Sequence, residues 1–169
     1  QLAQTYLYRQ DTKAFNIIDW LTTNTTSTGA WPEALHPHSK GGCAGDGHDT
    51  LATAEFLILV RNMLVKEEGQ SLHITPIFPK EWLNNKKPIQ VKDLPSYFGK
   101  INFTMSFSEN TVHLDMNNEY SLQPTTLKVS LPQPIKSLEI DNQEAKDIYK
   151  SVVHLPPNTK KAKLTLLTE

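Results

Sequence analysis

Apolar residues recur at helical spacing early in the chain and at alternate positions over its second half. Ala14, Ile17, Ile18 and Leu21 follow the i, i+3, i+4, i+7 pattern, and Phe15 and Trp20 widen that face, so residues 1–23 are expected to form a helix. Asp11 can act as an N-cap, its carboxylate accepting from free amides of a first turn. Residues 22–28 are threonine, serine and asparagine, which prefer side-chain to backbone hydrogen bonds and end the helix. Residues 29–49 are expected to be loop. Pro32 and Pro37 exclude a helix interior, and Gly41, Gly42, Gly45 and Gly47 permit close approach of backbone to a neighbour or ligand. Helix is expected again over residues 50–66, capped by Asp46 or Asp49. There Leu51, Ala54, Leu57, Ile58, Val60, Leu64 and Val65 cover most of the circumference rather than one stripe. A helix apolar all round demands neighbours on most sides. Those neighbours are expected to be further helices preceding Gln1, or the first helix and a sheet, or another subunit.

Beyond Gly69 the period changes to two. Ile101, Phe103, Met105 and Phe107 alternate, as do Val112, Leu114 and Met116, with Ser108-Glu109-Asn110 between them as a hairpin turn. Further short strands are expected at Leu72 and Ile74, Leu127 to Leu131, Leu138 to Ile140, Val152 to Leu155, and Ala162 to Leu166, with Asp141-Asn142-Gln143 as a turn. The predicted fold class is therefore α+β: an N-terminal helical segment over residues 1–69, followed by an antiparallel β-sandwich over residues 70–169. No convincing internal repeat is present.

Composition narrows the function classes. With a formal net charge of -1 there is no bulk argument for binding nucleic acid or an anionic membrane, and no run of about 20 apolar residues is available to span a bilayer. The single cysteine, Cys43, excludes an internal disulfide framework but leaves the compartment open, cytoplasmic or secreted. The start at Gln1 lacks a signal sequence and suggests a processed or truncated product.

The chemistry is concentrated in residues 31–49. Glu33 stands in Trp31-Pro32-Glu33, where Pro32 stiffens the backbone and Trp31 can partly desolvate the carboxylate. Such a group suits a general base acting on water; the plain alternative is a loop glutamate paired with a lysine. His36, His38, Cys43, Asp46, His48 and Asp49 include zinc-ligand types, but no Cys-x-x-Cys or His-x-x-x-His pair gives the usual spacing, so no metal is expected. In a sugar cleft His36, Asp46, His48 and Asp49 would recognise hydroxyls, and Trp31 would offer its face to a pyranose ring. Otherwise these side chains hydrogen-bond the glycine loop or cap the following helix. Cys43 is not expected to be a nucleophile, with Lys40 the sole basic residue near it in sequence. The glycine-rich loop lacks the Gly-Lys-Ser/Thr ending of a phosphate loop. No cofactor is expected. Trp82, Tyr97 and Phe98 are read as packing residues, with glycan binding as the alternative, and Glu55 and Arg61 as either paired or at the polar edge of their helix.

Three segments carry a resemblance. Trp31-Pro32-Glu33-Ala34, then Gly42-Cys43-Ala44-Gly45-Asp46-Gly47-His48-Asp49 running into Ala52-Thr53-Ala54-Glu55, then Ile77-Phe78-Pro79-Lys80-Glu81-Trp82 with Tyr97-Phe98-Gly99-Lys100-Ile101, occur in that order. Together they resemble the C-terminal end of an (α/α)6-barrel glycoside hydrolase of the glucoamylase, amylo-α-1,6-glucosidase and α-L-rhamnosidase group. The resemblance implies that the first 69 residues end an α/α toroid and that the rest is its appended β-sandwich. It implies Glu33 as the catalytic base of an inverting hydrolysis, although Ala34 stands where glucoamylases often carry glutamine. The general acid would come from an earlier loop, so the chain is expected to be inactive alone and to need a missing N-terminal barrel portion or a partner chain, with carbohydrate as substrate. The alternative is a non-catalytic carbohydrate-binding or interaction sandwich with a helical cap.

Overall fold

The computed structural model describes residues 1–44, 47–84 and 87–167. The first stretch forms two helices, α1 (Leu2–Tyr8) and α2 (Lys13–Thr23), where one was expected. The break has a local cause. Gln10 has φ of 56°, and the Asp11 carboxylate accepts the amide of Lys13 at 2.9 Å. An acceptor for the first free amides restarts a helix instead of letting it run through. Ala3, Leu7 and Ala14 are the buried residues of the pair.

The expected loop contains a small antiparallel sheet, β1 (Ala34–Leu35) with β2 (Gly42–Ala44). Helix α3 (Thr50–Leu64) follows, and Asp49 caps it: its Oδ1 accepts the amide of Ala52 at 2.6 Å, and its carbonyl accepts that of Thr53. Helix stops at Leu64, short of the expected Lys66. Val65–Glu68 is strand β3, which turns at Gly69, at φ 59°, into β4 (Ser71–Ile74).

The remaining strands are β5 (Ile89–Ser96), β6 (Gly99–Ser108), β7 (Thr111–Met116), β8 (Glu119–Tyr120), β9 (Thr126–Ser130), β10 (Ile135–Ile140), β11 (Gln143–Ala145), β12 (Ile148–Tyr149), β13 (Val152–Leu155) and β14 (Lys161–Leu166). A seven-stranded sheet runs β11-β10-β14-β7-β6-β5, with β8 beside β6, and a five-stranded sheet runs β12-β13-β9-β4-β3. The alternating rows read from the sequence are buried: Ile101, Phe103, Met105, Val112, Leu114 and Leu164 in the larger sheet, Leu72, Ile74, Leu127, Val129 and Val153 in the smaller. Each such side chain contributes about 1.5–3 kcal/mol by leaving water. The turn between β6 and β7 pairs Ser108 with Thr111 around Glu109 at φ 48°, and the β10–β11 turn holds Asp141 and Asn142 at φ 48° and 68°. Two successive positive φ values are what a tight hairpin's twist requires.

These features overturn the expected fold class. The described chain is 40% strand and 23% helix, with three helices and three sheets, a β-rich fold rather than the end of an α/α toroid leading into a sandwich. Two causes lie in the residues. Helix is lost at the Gln10 break and after Leu64, and strand is gained at β1, β2 and β3. The smaller sheet is not purely antiparallel either, since β4 and β9 pair in parallel. The chain divides into two compact units, Gln1–Leu64 and Val65–Glu169. Among the described residues no helix is long and apolar enough to cross a membrane.

Candidate functional site

Within the first unit, Trp31, Pro32, Glu33 and Leu35 border a cavity of about 360 Å3. That volume lies in the range of small-molecule sites, roughly 300–1,000 Å3. Its wall is mainly apolar, with Ile17, Trp20 and Leu21 from α2, Phe56 and Leu59 from α3, and Trp31 between them. Two carboxylates line it, Glu33 from the loop and Glu55 from α3. No hydrogen bond or ion pair to a described residue engages either carboxylate. Gln4 also borders the cavity; its Oε1 accepts from Asn62 at 3.2 Å, while its Nε2 is buried with no hydrogen-bond partner among the described residues.

The loop holding Glu33 is tied at both sides. The Glu33 amide donates to the carbonyl of Ala44 at 3.1 Å, and the His36 amide to that of Gly41 at 2.8 Å. Gly42 lies so close to Pro32 that a Cβ there would stand 3.1 Å from the Pro32 Cβ, so a side chain on β2 would push the Trp31-Pro32-Glu33 backbone. Trp31 is an anchor: it is 8% exposed, its Nε1–H donates to the Leu21 carbonyl at 2.9 Å, and its ring lies 4.6 Å from that of Phe56. Its face is used by the protein itself, which leaves little for a sugar ring to stack on. The open indole is Trp20, 43% exposed on the same cavity, with Lys40 Nζ 5.6 Å from its ring centre. The sequence carried a signal for this in Trp20 at the margin of the apolar face of its helix, where a large aromatic reaches out of the packed stripe.

The other expected site residues separate. His36 is exposed; its Nδ1 accepts the amides of His38 at 3.3 Å and Ser39 at 3.2 Å, closing the turn of the β1–β2 hairpin. His48 is exposed, and Asp49 is committed to capping α3. Asp46 lies outside the described residues. Cys43 is an exposed free thiol. Among the described residues no three His, Cys, Asp or Glu side chains come together to hold a metal ion. Glu55, read from the sequence as paired or at the polar edge of its helix, is the carboxylate that shares the cavity with Glu33.

The second unit holds a polar cluster that sequence reading missed. Lys66, His73 and Lys128 are register neighbours across β3, β4 and β9. Glu68 lies two residues along β3, and Ser130 two residues along β9, on the same face. His73 Nε2 is 2.7 Å from Ser130 Oγ, and its Nδ1 is 3.4 Å from Glu68 Oε1, a loose contact rather than a hydrogen bond. Glu68 takes Lys66 Nζ at 2.6 Å and Lys128 Nζ at 2.8 Å. Burial alone would raise the Glu68 pKa, but the two lysine hydrogen bonds and the neighbouring positive charge outweigh it and hold the group at about 2. Burial lowers His73 to about 4, opposed only in part by Glu68. The order hydroxyl, imidazole, carboxylate is that of acyl-transfer enzymes. Here His73 is 1% and Ser130 7% exposed, so the hydroxyl has no room beside it for an acyl group.

In Trp82 the aromatic ring packs edge-on to Phe78 at 5.6 Å, and Phe98 is buried, whereas Tyr97 is 73% exposed. No protein-family model matches the sequence, and no curated protein matches it significantly.

Proposed function

We propose that this chain is the C-terminal part of a glycoside hydrolase acting on oligo- or polysaccharide, to which it contributes Glu33 as general base. The observation that carries this reading is an exposed loop glutamate, without an ion pair among the described residues, on an aromatic-walled cavity of about 360 Å3, with a second carboxylate, Glu55, on the same wall. A base on water needs a free carboxylate and a neighbouring surface that orients the sugar. Trp20 supplies that surface in place of Trp31. An inverting mechanism also requires a general acid with its carboxyl about 6.5–9.5 Å from that of the base. On this reading the acid is supplied by further polypeptide, which packs on the exposed apolar side chains of α3, Leu51, Leu57 and Ile58, at 70%, 63% and 50% exposure. The chain alone binds sugar without hydrolysing it. The test is a titration of the full chain with neutral oligosaccharides, followed by Trp fluorescence. Saturable binding that weakens at least about tenfold in Trp20→Ala supports the reading; no binding of any oligosaccharide rejects it.

The second reading is a non-catalytic carbohydrate-binding or interaction module. It is favoured by Tyr97, an exposed aromatic at the β5–β6 turn of the second unit. Binding lost in Tyr97→Ala and kept in Trp20→Ala selects it.

A further inference from the structure

β3 is the edge of the five-stranded sheet, hydrogen-bonded as a strand to β4 alone among the described residues, and it continues from α3 with no residue between Leu64 and Val65. One of its faces is held by charge. The Glu68 carboxylate, accepting from Lys66 on its own strand and Lys128 on β9, stands 3.4 Å from the ring of His73 on β4 between them. Lys66, Glu68 and Lys128 are the charged groups acting on His73, two positive and one negative. The imidazole is 1% exposed and Lys66 2%. A proton on His73 therefore puts a third positive charge beside one carboxylate whose oxygens both already accept from ammonium groups, and does so out of reach of water.

We propose that this cluster is an acid-sensitive clasp: protonation of His73 releases the edge strand β3 from β4, loosening the segment that continues directly from α3. The sign follows from where the proton binds. In the closed sheet the ring takes a proton only near pH 4, whereas once open to water it takes one near 6.5. Between those values the open form binds more protons, so opening becomes up to about tenfold easier per pH unit as pH falls. Closed, Glu68 is held at about 2, and open it stays charged above its ordinary 4.5, so between pH 7 and pH 5 His73 is the group that sets the change.

Amide hydrogen exchange of the full chain, corrected for intrinsic rates, tests this between pH 7 and pH 5. The opening constant of β3 amides is expected to rise roughly tenfold or more, while β6 and β7 amides change little, and His73→Gln is expected to remove the rise. The same rise in His73→Gln, or β3 opening in step with β6 and β7, overturns the clasp. Should His73→Gln not fold, an NMR titration of the His73 ring in the unaltered chain decides: a neutral ring down to pH 5 supports the proposal, and a midpoint near 6.5 in the closed form overturns it.

Discussion

Glu68 is the residue on which the charged face of the smaller sheet depends. It neutralises Lys66, a lysine 2% exposed, and also takes Lys128. Removing the Glu68 charge takes an acceptor from both lysines, and breaking one side of a fully buried pair costs about 3–5 kcal/mol. The Glu68 side chain is 24% exposed, which reduces that figure. Glu68→Gln is accordingly expected to lower stability at pH 7 by about 2–3 kcal/mol, measured by urea denaturation. The carboxylate's contribution is fully present above its unfolded value near 4.5 and is lost as pH falls toward 2, so wild type and variant are expected to converge in strong acid. The cluster was hidden from sequence reading because Lys66 fell at the end of an expected helix. Once Val65–Glu68 is a strand, Lys66 and Glu68, then His73, then Lys128 and Ser130 occupy the same alternating face opposite Leu72, Ile74, Leu127 and Val129.

At the scale of elements, the hairpins were legible because each rests on neighbouring residues. Glu109 and Asn110 connect two clean alternating runs, and Asp141 and Asn142 tolerate the positive φ that their turn needs. Helix boundaries were less legible. Asp11 carried the N-cap signal that ends α1 and starts α2, but the apolar spacing on either side of it suggested one continuous element. The parallel pairing of β4 with β9 joins residues more than fifty positions apart, and nothing local in either strand specifies it. Asp49 was legible as a cap, and it is also one of the expected sugar ligands. Asp49→Ala is expected to cost about 1 kcal/mol of stability through loss of its bond to the Ala52 amide. If the cap is its whole role, Asp49→Asn, which keeps an acceptor oxygen, restores both stability and oligosaccharide binding. The candidate site was legible in part. The Trp31-Pro32-Glu33 segment borders the cavity, but the exposed indole there is Trp20, and Glu55, a polar residue of α3 with no site signal around it in sequence, lines the same wall.

For the whole molecule, the exposed apolar side chains of α3 matter most. Leu51, Leu57 and Ile58 are exposed on one helix, which a water-facing helix rarely tolerates together. Ile58→Lys is expected to change stability by no more than about 0.5 kcal/mol, because the position has little packing to lose. It should also reduce both self-association and the fluorescence of a dye that binds exposed apolar surface. A dye-silent wild-type monomer would contradict the reading that further polypeptide packs there. On the proposed function the cavity bordered by Glu33 and Trp20 takes a sugar, and a binding isotherm with neutral oligosaccharides tests this. The account predicts saturable binding to wild type and to Glu33→Gln, with affinity at least about tenfold lower in Trp20→Ala. Equal affinity in Trp20→Ala, or no saturable binding to wild type, would contradict it.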